Sequence, residues 1–214
     1  HLFLEEYGIP SLGLPGTIDN DLSGTDLSIG FDTACNTAIE AIDKIRDTAT
    51  SHDRLFFVEV MGRDAGFIAI NAGIGSAAAA ILIPERKTSI DSLIEKLKTR
   101  SKAKKSSNIV IVAEGGKSGS AQQIADEVKI FLPHYDIKVT ILGHLQRGGS
   151  PTSLDRLLAS KLGVAAVEGL LQGKYDMMAG MINNKVVFTP IVKAIVDDKK
   201  VDEEDLRIAN ILST

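Results

Sequence analysis

The sequence predicts an α/β fold, a mostly parallel sheet with helices on both faces, from three observations. Short apolar runs of strand length occur at Leu55–Val60, Ala80–Ile83, Ile109–Val112 and Val139–Leu142. They lack the in–out alternation of a half-exposed strand, so they suit strands buried on both sides. Amphipathic stretches of helical period lie between them, at the spacing that βαβ crossovers need.

Each element follows from its own pattern. His1–Glu6 reads as the end of a helix, and Ile9–Leu14 as a short apolar approach to a Gly/Pro turn. Ala34, Ala38, Ile42, Ile45 and Ala49 recur on one helical face, as do Ile90, Leu93, Ile94 and Leu97. Ser120–Leu132 is a third helix, stopped by Pro133; Leu154–Leu171 is a fourth, with Gly173 placed to close it. Val186–Phe188 after Asn183-Asn184 predicts the second arm of a hairpin, and Asp202–Leu212 predicts a last helix. No internal repeat or low-complexity linker interrupts this order.

Composition excludes several classes. The chain has 214 residues, 44% hydrophobic and 24% charged, with a net charge of −4. That balance gives no basic patch for nucleic acid. The dense basic run, Lys102–Lys105, suits a solvated helix end. No apolar run is long enough to span a membrane and no signal-peptide pattern opens the chain, so a cytoplasmic protein is expected. The single cysteine, Cys35, sits among helix formers and reads as a small buried residue.

Chemistry is concentrated after the apolar runs. Asp19 and Asp21 stand at i, i+2 on the Gly/Pro-flanked loop Gly13–Asp21. Two acids so placed can divide the work, one taking a proton while the other faces a metal or steadies the first. A plain Asp/Asn turn is the alternative. Met61-Gly62-Arg63, Glu114-Gly115-Gly116 and Gly143–Gly149 each follow a predicted strand. Open α/β sheets bind ligands at those strand ends. Taken singly, Arg63 suits a salt bridge, Glu114 a turn carboxylate and His144 a buried histidine.

Together and in this order, Pro15–Leu22 (PGTIDNDL), Val58–Arg63 (VEVMGR) and Gly143–Pro151 (GHLQRGGSP) resemble the bacterial ATP-dependent 6-phosphofructokinases, from about Gly8 to the C-terminus. The resemblance implies a three-layer phosphofructokinase-like fold, truncated. Residues 1–30 and 144–193 would be the remainder of an ATP-binding domain, and residues 31–143 and 194–214 a fructose-6-phosphate domain. It implies phosphoryl transfer from ATP to the 1-hydroxyl of fructose 6-phosphate, with Mg2+, in a homotetramer. Asp19 would take the hydroxyl proton. Thr17 and Ile18 would hold the reacting end of the sugar. Asp21 would tune Asp19 and order a metal-linked water. Met61 and Gly62 would line the sugar, and Arg63 would stabilise the transferring phosphoryl group. Glu114 would accept sugar hydroxyls, and His144, Leu145, Gln146 and Arg147 would form the 6-phosphate segment. Arg54 and Lys138 would reach across an interface; Lys138 stands where the family usually has arginine. Arg46 and Lys105 would serve an allosteric effector.

Gly16 goes with ATP rather than pyrophosphate in the same resemblance. The family's N-terminal Gly-rich and Gly-Gly-Asp-Gly blocks do not occur in the chain, so these 214 residues alone are expected to be inactive. A pyrophosphate-dependent relative and a non-catalytic sugar-phosphate-binding subunit are the alternatives.

Overall fold

A computed structural model describes residues 2–49, 54–102, 108–116 and 119–213. In chain order the elements are α1 (Leu2–Tyr7), β1 (Leu12–Gly13), α2 (Phe31–Ala49), β2 (Arg54–Val60), α3 (Phe67–Gly75), β3 (Ala80–Leu82), α4 (Ile90–Lys102), β4 (Ile109–Ala113), α5 (Ala121–Phe131) and β5 (Asp136–Ile141). A 3-10 turn follows at Gly143–Arg147, then α6 (Ser153–Leu171), β6 (Met177–Ile182), β7 (Lys185–Pro190), α7 (Ile191–Val196) and α8 (Glu203–Leu212). Two compact units result, His1–Thr33 with Ser150–Lys200, and Ala34–Gly149 with Val201–Thr214. Their limits differ by a few residues from the expected 30/31, 143/144 and 193/194, and the second unit takes in the whole 3-10 turn.

The second unit holds a four-stranded sheet in the order β3-β4-β2-β5, with every pair parallel. Right-handed crossovers then dictate the layers. The connection from β2 back to β3 runs opposite in direction to those from β3 to β4 and from β4 to β5. It therefore places α3 on one face and leaves α4 and α5 on the other. Contacts agree: α4 meets α5, and α3 meets α8. Leu55, Phe57, Val110 and Val112 join Leu93, Ile94, Leu97, Ile124 and Val128 in the core under α4 and α5. On the other face, a Cβ on Gly73 of α3 would lie 2.3 Å from Ile81, so glycine lets that helix settle on β3.

The central strands were legible because both of their faces are buried. β5 is an edge strand and begins earlier than its apolar run, at Asp136, which pairs with Arg54. Its residues alternate between exposed and half-buried, which disguised its first half. Helix α3 gave little amphipathic signal because Phe67, Ile68, Ala69, Ile70, Ala72 and Gly73 are buried around most of its circumference, leaving a narrow exposed strip at Asn71 and Gly75.

The first unit holds a mixed sheet, β1-β6-β7, with β1 parallel and β7 antiparallel to β6. The hairpin turn at Asn183 and Asn184 has φ of 50° and 60°, which suits asparagine and the twist of a tight hairpin. Gly173 follows Gln172, the C-cap of α6, and has φ of 75°, as expected of a residue that ends a helix.

Asp155, only 3% exposed, ties the starts of two helices together in this unit. It lies in the first turn of α6, yet its carboxylate accepts from the backbone N–H of Gly30 at 2.9 Å and of Thr33 at 2.8 Å, and from the Thr33 hydroxyl. It thus caps α2, satisfying N–H groups that have no partner within the helix. In return, Thr152, the N-cap of α6, donates its hydroxyl to Asp32 in the first turn of α2. Asp155→Ala should destabilise the protein by about 2–4 kcal/mol, because several buried donors lose a charged acceptor at once. Asp155→Asn should cost less, and urea melts of the two variants give the comparison. Equal midpoints for Asp155→Ala and the native protein would refute the clamp.

Candidate active site

In the second unit the C-terminal ends of three adjacent parallel strands form a crest. β4 ends at Glu114, β2 at Met61-Gly62-Arg63, and β5 at the 3-10 turn Gly143–Arg147. Neighbouring strands lie about 4.8 Å apart, so these segments are side by side. The chain leaves β2 for one face of the sheet and leaves β4 for the other. Such a divergence is where an open α/β sheet usually forms its ligand crevice, here between Met61–Arg63 and Glu114.

Glu114 organises the crevice. Its Oε1 accepts from the backbone N–H of Arg63 at 2.9 Å and of Gly62 at 3.2 Å. The loop it holds is left-handed, with φ of 151° at Gly62 and 56° at Arg63. Arg63 is not glycine, so the conformation needs this external hold. A Cβ on Gly115 would stand 2.4 Å from the Arg63 carbonyl oxygen, so the two loops can close together only with glycine there. Met61 is buried behind the crevice.

What the crest presents outward is unengaged. The side chains of Arg63, His144 and Arg147 are exposed and make no hydrogen bond or ion pair among the described residues, and Glu114 Oε2 has no partner there. His144 and Arg147 are three apart on a 3-10 turn, so they project to the same side. Leu145 is exposed too. Gln146 is turned inward, 1% exposed, with its Nε2 donating to the Gly143 carbonyl at 3.2 Å.

Arg54 and Lys138 lie elsewhere. Arg54 starts β2, so the full length of that strand separates it from Met61. Lys138 is on the neighbouring β5, and the two share Asp136. Its carboxylate is 2.9 Å from Lys138 Nζ and 3.5 Å from Arg54 Nε. The Lys138 hydrogen bond, with the Arg54 charge adding to it, holds the Asp136 carboxyl below the usual range. Arg46 of α2 donates to the Ser76 carbonyl at the end of α3 and is 3.3 Å from Asp43. Lys105 lies outside the described residues.

The first unit carries the two-acid loop. The Asp19 N–H donates to Thr17 Oγ1 at 3.2 Å, and that hydroxyl lies 3.4 Å from Asp19 Oδ2. Asn20 is buried and has φ of 57°. Its side chain accepts from the Ser28 N–H at 2.8 Å and donates to the Asp26 carbonyl at 3.2 Å. Ser28 Oγ donates to the Thr17 carbonyl at 2.7 Å. Thr17, Ile18, Asp19 and Asp21 are therefore fixed from behind and half-exposed in front.

Lys199 belongs to this loop, though nothing in its sequence neighbourhood marked it. Its Nζ donates to the Asp26 carbonyl at 2.8 Å. Burial lowers its pKa to about 8, against the pull of Asp26 and Asp21.

Known proteins decide the family. The family model described as phosphofructokinase matches residues 1–170. The chain belongs to the phosphofructokinase family. The ATP-dependent 6-phosphofructokinase 2 of Bacteroides thetaiotaomicron is 53% identical over 99% of the chain, and an ATP-dependent 6-phosphofructokinase 1 of Thermus thermophilus is 49% identical over 98%. The chain spans 65% of the length of each of these two curated relatives. Among solved structures, phosphofructokinase from Saccharomyces cerevisiae matches with a TM-score of 0.80 at 31% identity, covering 98% of this chain and 30% of that one. A pyrophosphate-dependent phosphofructokinase from Marinobacter aquaeolei matches with 0.79 at 25% identity, covering 98% and 62%. The α/β architecture of parallel and mixed sheets is thus that of a phosphofructokinase.

Lys199 gives a pH test on this phosphofructokinase chain. Between pH about 8 and the ordinary lysine value of 10.5, the unfolded chain binds more protons at this site than the folded one. Stability from this group therefore rises with pH across that window and is flat below it. Melting temperatures of the native protein and of Lys199→Met, measured from pH 7 to 10.5, should differ increasingly in favour of the native protein above pH 8. Parallel curves would show that Lys199 titrates normally.

Proposed function

We propose that the protein containing this chain transfers the γ-phosphoryl group of ATP to the 1-hydroxyl of fructose 6-phosphate, yielding fructose 1,6-bisphosphate and ADP. The observation that carries this reading is the crest. Arg63, His144 and Arg147 stand unengaged beside the open Oε2 of Glu114, on adjacent strand ends. A phosphorylated polyol needs that combination, cations for its phosphate and a carboxylate for its hydroxyls.

The roles follow from the resemblance and from the chemistry of each group. Arg147 and His144 take the 6-phosphate, within the segment that includes Leu145 and Gln146. Glu114 accepts from the sugar hydroxyls, next to Met61 and Gly62. Arg63 stabilises charge on the phosphoryl group in transit. Asp19 removes the proton of the attacking hydroxyl, and Thr17 and the Ile18 backbone hold that end of the sugar. Asp21 keeps negative charge beside Asp19, and Lys199 limits it. The first unit is then the remainder of the ATP domain and the second the sugar-phosphate domain. Arg54 and Lys138 act on a neighbouring copy in a cytoplasmic homotetramer. Arg46 and Lys105 serve an effector site.

Magnesium accompanies ATP in this proposal. Among the described residues no group of three or more His, Cys, Asp or Glu side chains could hold a metal ion. Mg2+ in phosphoryl transfer takes one or two carboxylates plus substrate phosphates and water, and Asp21 fits as one such carboxylate acting through water. No helix among the described residues is long and apolar enough to cross a membrane.

Pyrophosphate as donor is the second reading, favoured by the solved pyrophosphate-dependent relative. Gly16 and the far higher identity to relatives named ATP-dependent support ATP. A coupled assay of the intact protein with each donor in turn decides, and turnover with pyrophosphate alone would overturn the choice. Within that assay, Asp19→Asn should lower kcat by about 10²-fold or more while KM for fructose 6-phosphate changes little. Arg147→Ala should do the reverse, raising KM by the equivalent of about 1.5–3 kcal/mol for a lost charged contact. Normal kcat in Asp19→Asn would remove that residue from the chemistry.

A further inference from the structure

Helix α4 carries a second concentration of positive charge. It runs back from the end of β3 to the start of β4, so its second half lies toward the end of the sheet opposite the crest. Glu95, Lys96, Thr99, Arg100 and Ser213 line a cavity of about 240 Å3 there. Lys96 and Ser213 also line an adjoining cavity of about 390 Å3, which extends past Ser92 and Ser89 to Lys87 and Arg86.

Among the described residues the cations of the smaller cavity lack counter-charge. Arg100 is 6% exposed, its Nε is buried with no partner, and its Nη1 reaches only the Leu212 carbonyl, at 3.4 Å. Lys96 makes no hydrogen bond or ion pair among the described residues. Glu95 is the one carboxylate in the lining, and it pairs with Lys98 at 3.3 Å. Buried guanidinium groups are tolerated where an anion meets them. Among the described residues no anion does so here. Burial lowers the pKa of Lys96, and the Arg100 charge lowers it further, the mark of uncompensated positive charge.

We propose that this cavity binds a small oxyanion-bearing metabolite, a phosphate ester or a carboxylate, between Lys96 and Arg100. The two hydroxyls of the lining do not compete for the role, because each spends its proton internally. Thr99 Oγ1 donates to the Glu95 carbonyl and Ser213 Oγ to the Asn210 carbonyl. Binding therefore rests on charge, which selects a multiply charged anion. The adjoining cavity accommodates the uncharged remainder of the molecule. Arg86 is already paired with Glu203, so Lys87 is the cation available at its far end.

Because the site shares no residue with the crest, its test is made independent of the kinase reading. The intact protein carrying Arg63→Ala and Arg147→Ala, which removes the crest cations, is titrated calorimetrically at constant ionic strength. One arm uses inorganic phosphate and the other citrate. Saturable binding with one site per chain is expected for at least one anion, and the stronger arm identifies the ligand class. Adding Lys96→Gln should weaken it by about tenfold or more, the scale of one charged contact. Lys96 is half-exposed, so this variant should retain the native circular dichroism spectrum and melting temperature, unlike a change at buried Arg100. Absence of saturable binding in the millimolar range for both anions would overturn the proposal. So would an unchanged affinity in Lys96→Gln.

Discussion

One carboxylate holds together the crest of the second unit. Glu114 Oε1 takes the N–H groups of both Gly62 and Arg63, and so bridges the ends of β4 and β2 where the sheet divides. Without that bridge the left-handed turn at Arg63 has little to sustain it, since a non-glycine residue pays for positive φ. With it, the Arg63 guanidinium is aimed outward and stays unengaged. One oxygen of this residue thus serves the backbone, and the other has no partner among the described residues. This couples the integrity of the loop to the chemistry it presents, and it restricts position 114 to a side chain with two acceptors. Position 115 is restricted with it, to a residue without a Cβ.

The first unit solves the same problem with amides and hydroxyls. The Pro15–Asp21 loop has little regular structure of its own, only the single bridge between Gly16 and Ile29. Asn20 and Ser28 supply the missing hydrogen bonds from inside, which leaves Asp19 and Asp21 facing out. Asn20 alternates with the acids in the sequence, so its burial is what turns its neighbours toward solvent. In D-N-D the middle residue is buried and structural, and the flanking acids are half-exposed. Asp26 connects this loop to the hairpin, its carboxylate accepting from the Asn183 N–H at 2.7 Å and its carbonyl from Lys199.

Legibility in the sequence followed burial and locality. Strands β2 and β4 read directly because both faces are buried, and Ser120 was readable as a helix start because the capping box is local, closed by Gln123. The three crest segments were found because each follows an apolar run. What escaped depended on distant partners or on symmetry of burial. Asp155 lies 122 residues from Thr33, and its pattern Thr152-x-x-Asp155 announces only the start of its own helix. Lys199 is drawn to Asp26 across 173 residues. Helix α3 escaped because a helix buried around most of its circumference has little periodicity to read. No sequence pattern singles out Lys96 and Arg100, and only the packing of Ser213 beside them shows that they line a cavity.

Arg54 and Lys138 acquire meaning from the geometry of β2. A strand of seven residues separates Arg54 from the crest, roughly 20 Å at the usual rise per residue. A side chain cannot span that, so within one copy Arg54 cannot touch a phosphate bound at Arg63 and Arg147. On the proposed reading their target lies in another copy of the chain. Asp136 then has a definite task. It keeps two neighbouring cations from repelling each other while no anion is present, and it does so weakly, because water screens exposed ion pairs. A phosphate dianion arriving from a neighbour can displace it at small cost. The departure to lysine at position 138 fits the same arrangement: its compact ammonium reaches Asp136 through one oxygen, and the planar fork of Arg54 remains the member of the pair suited to a bidentate phosphate contact.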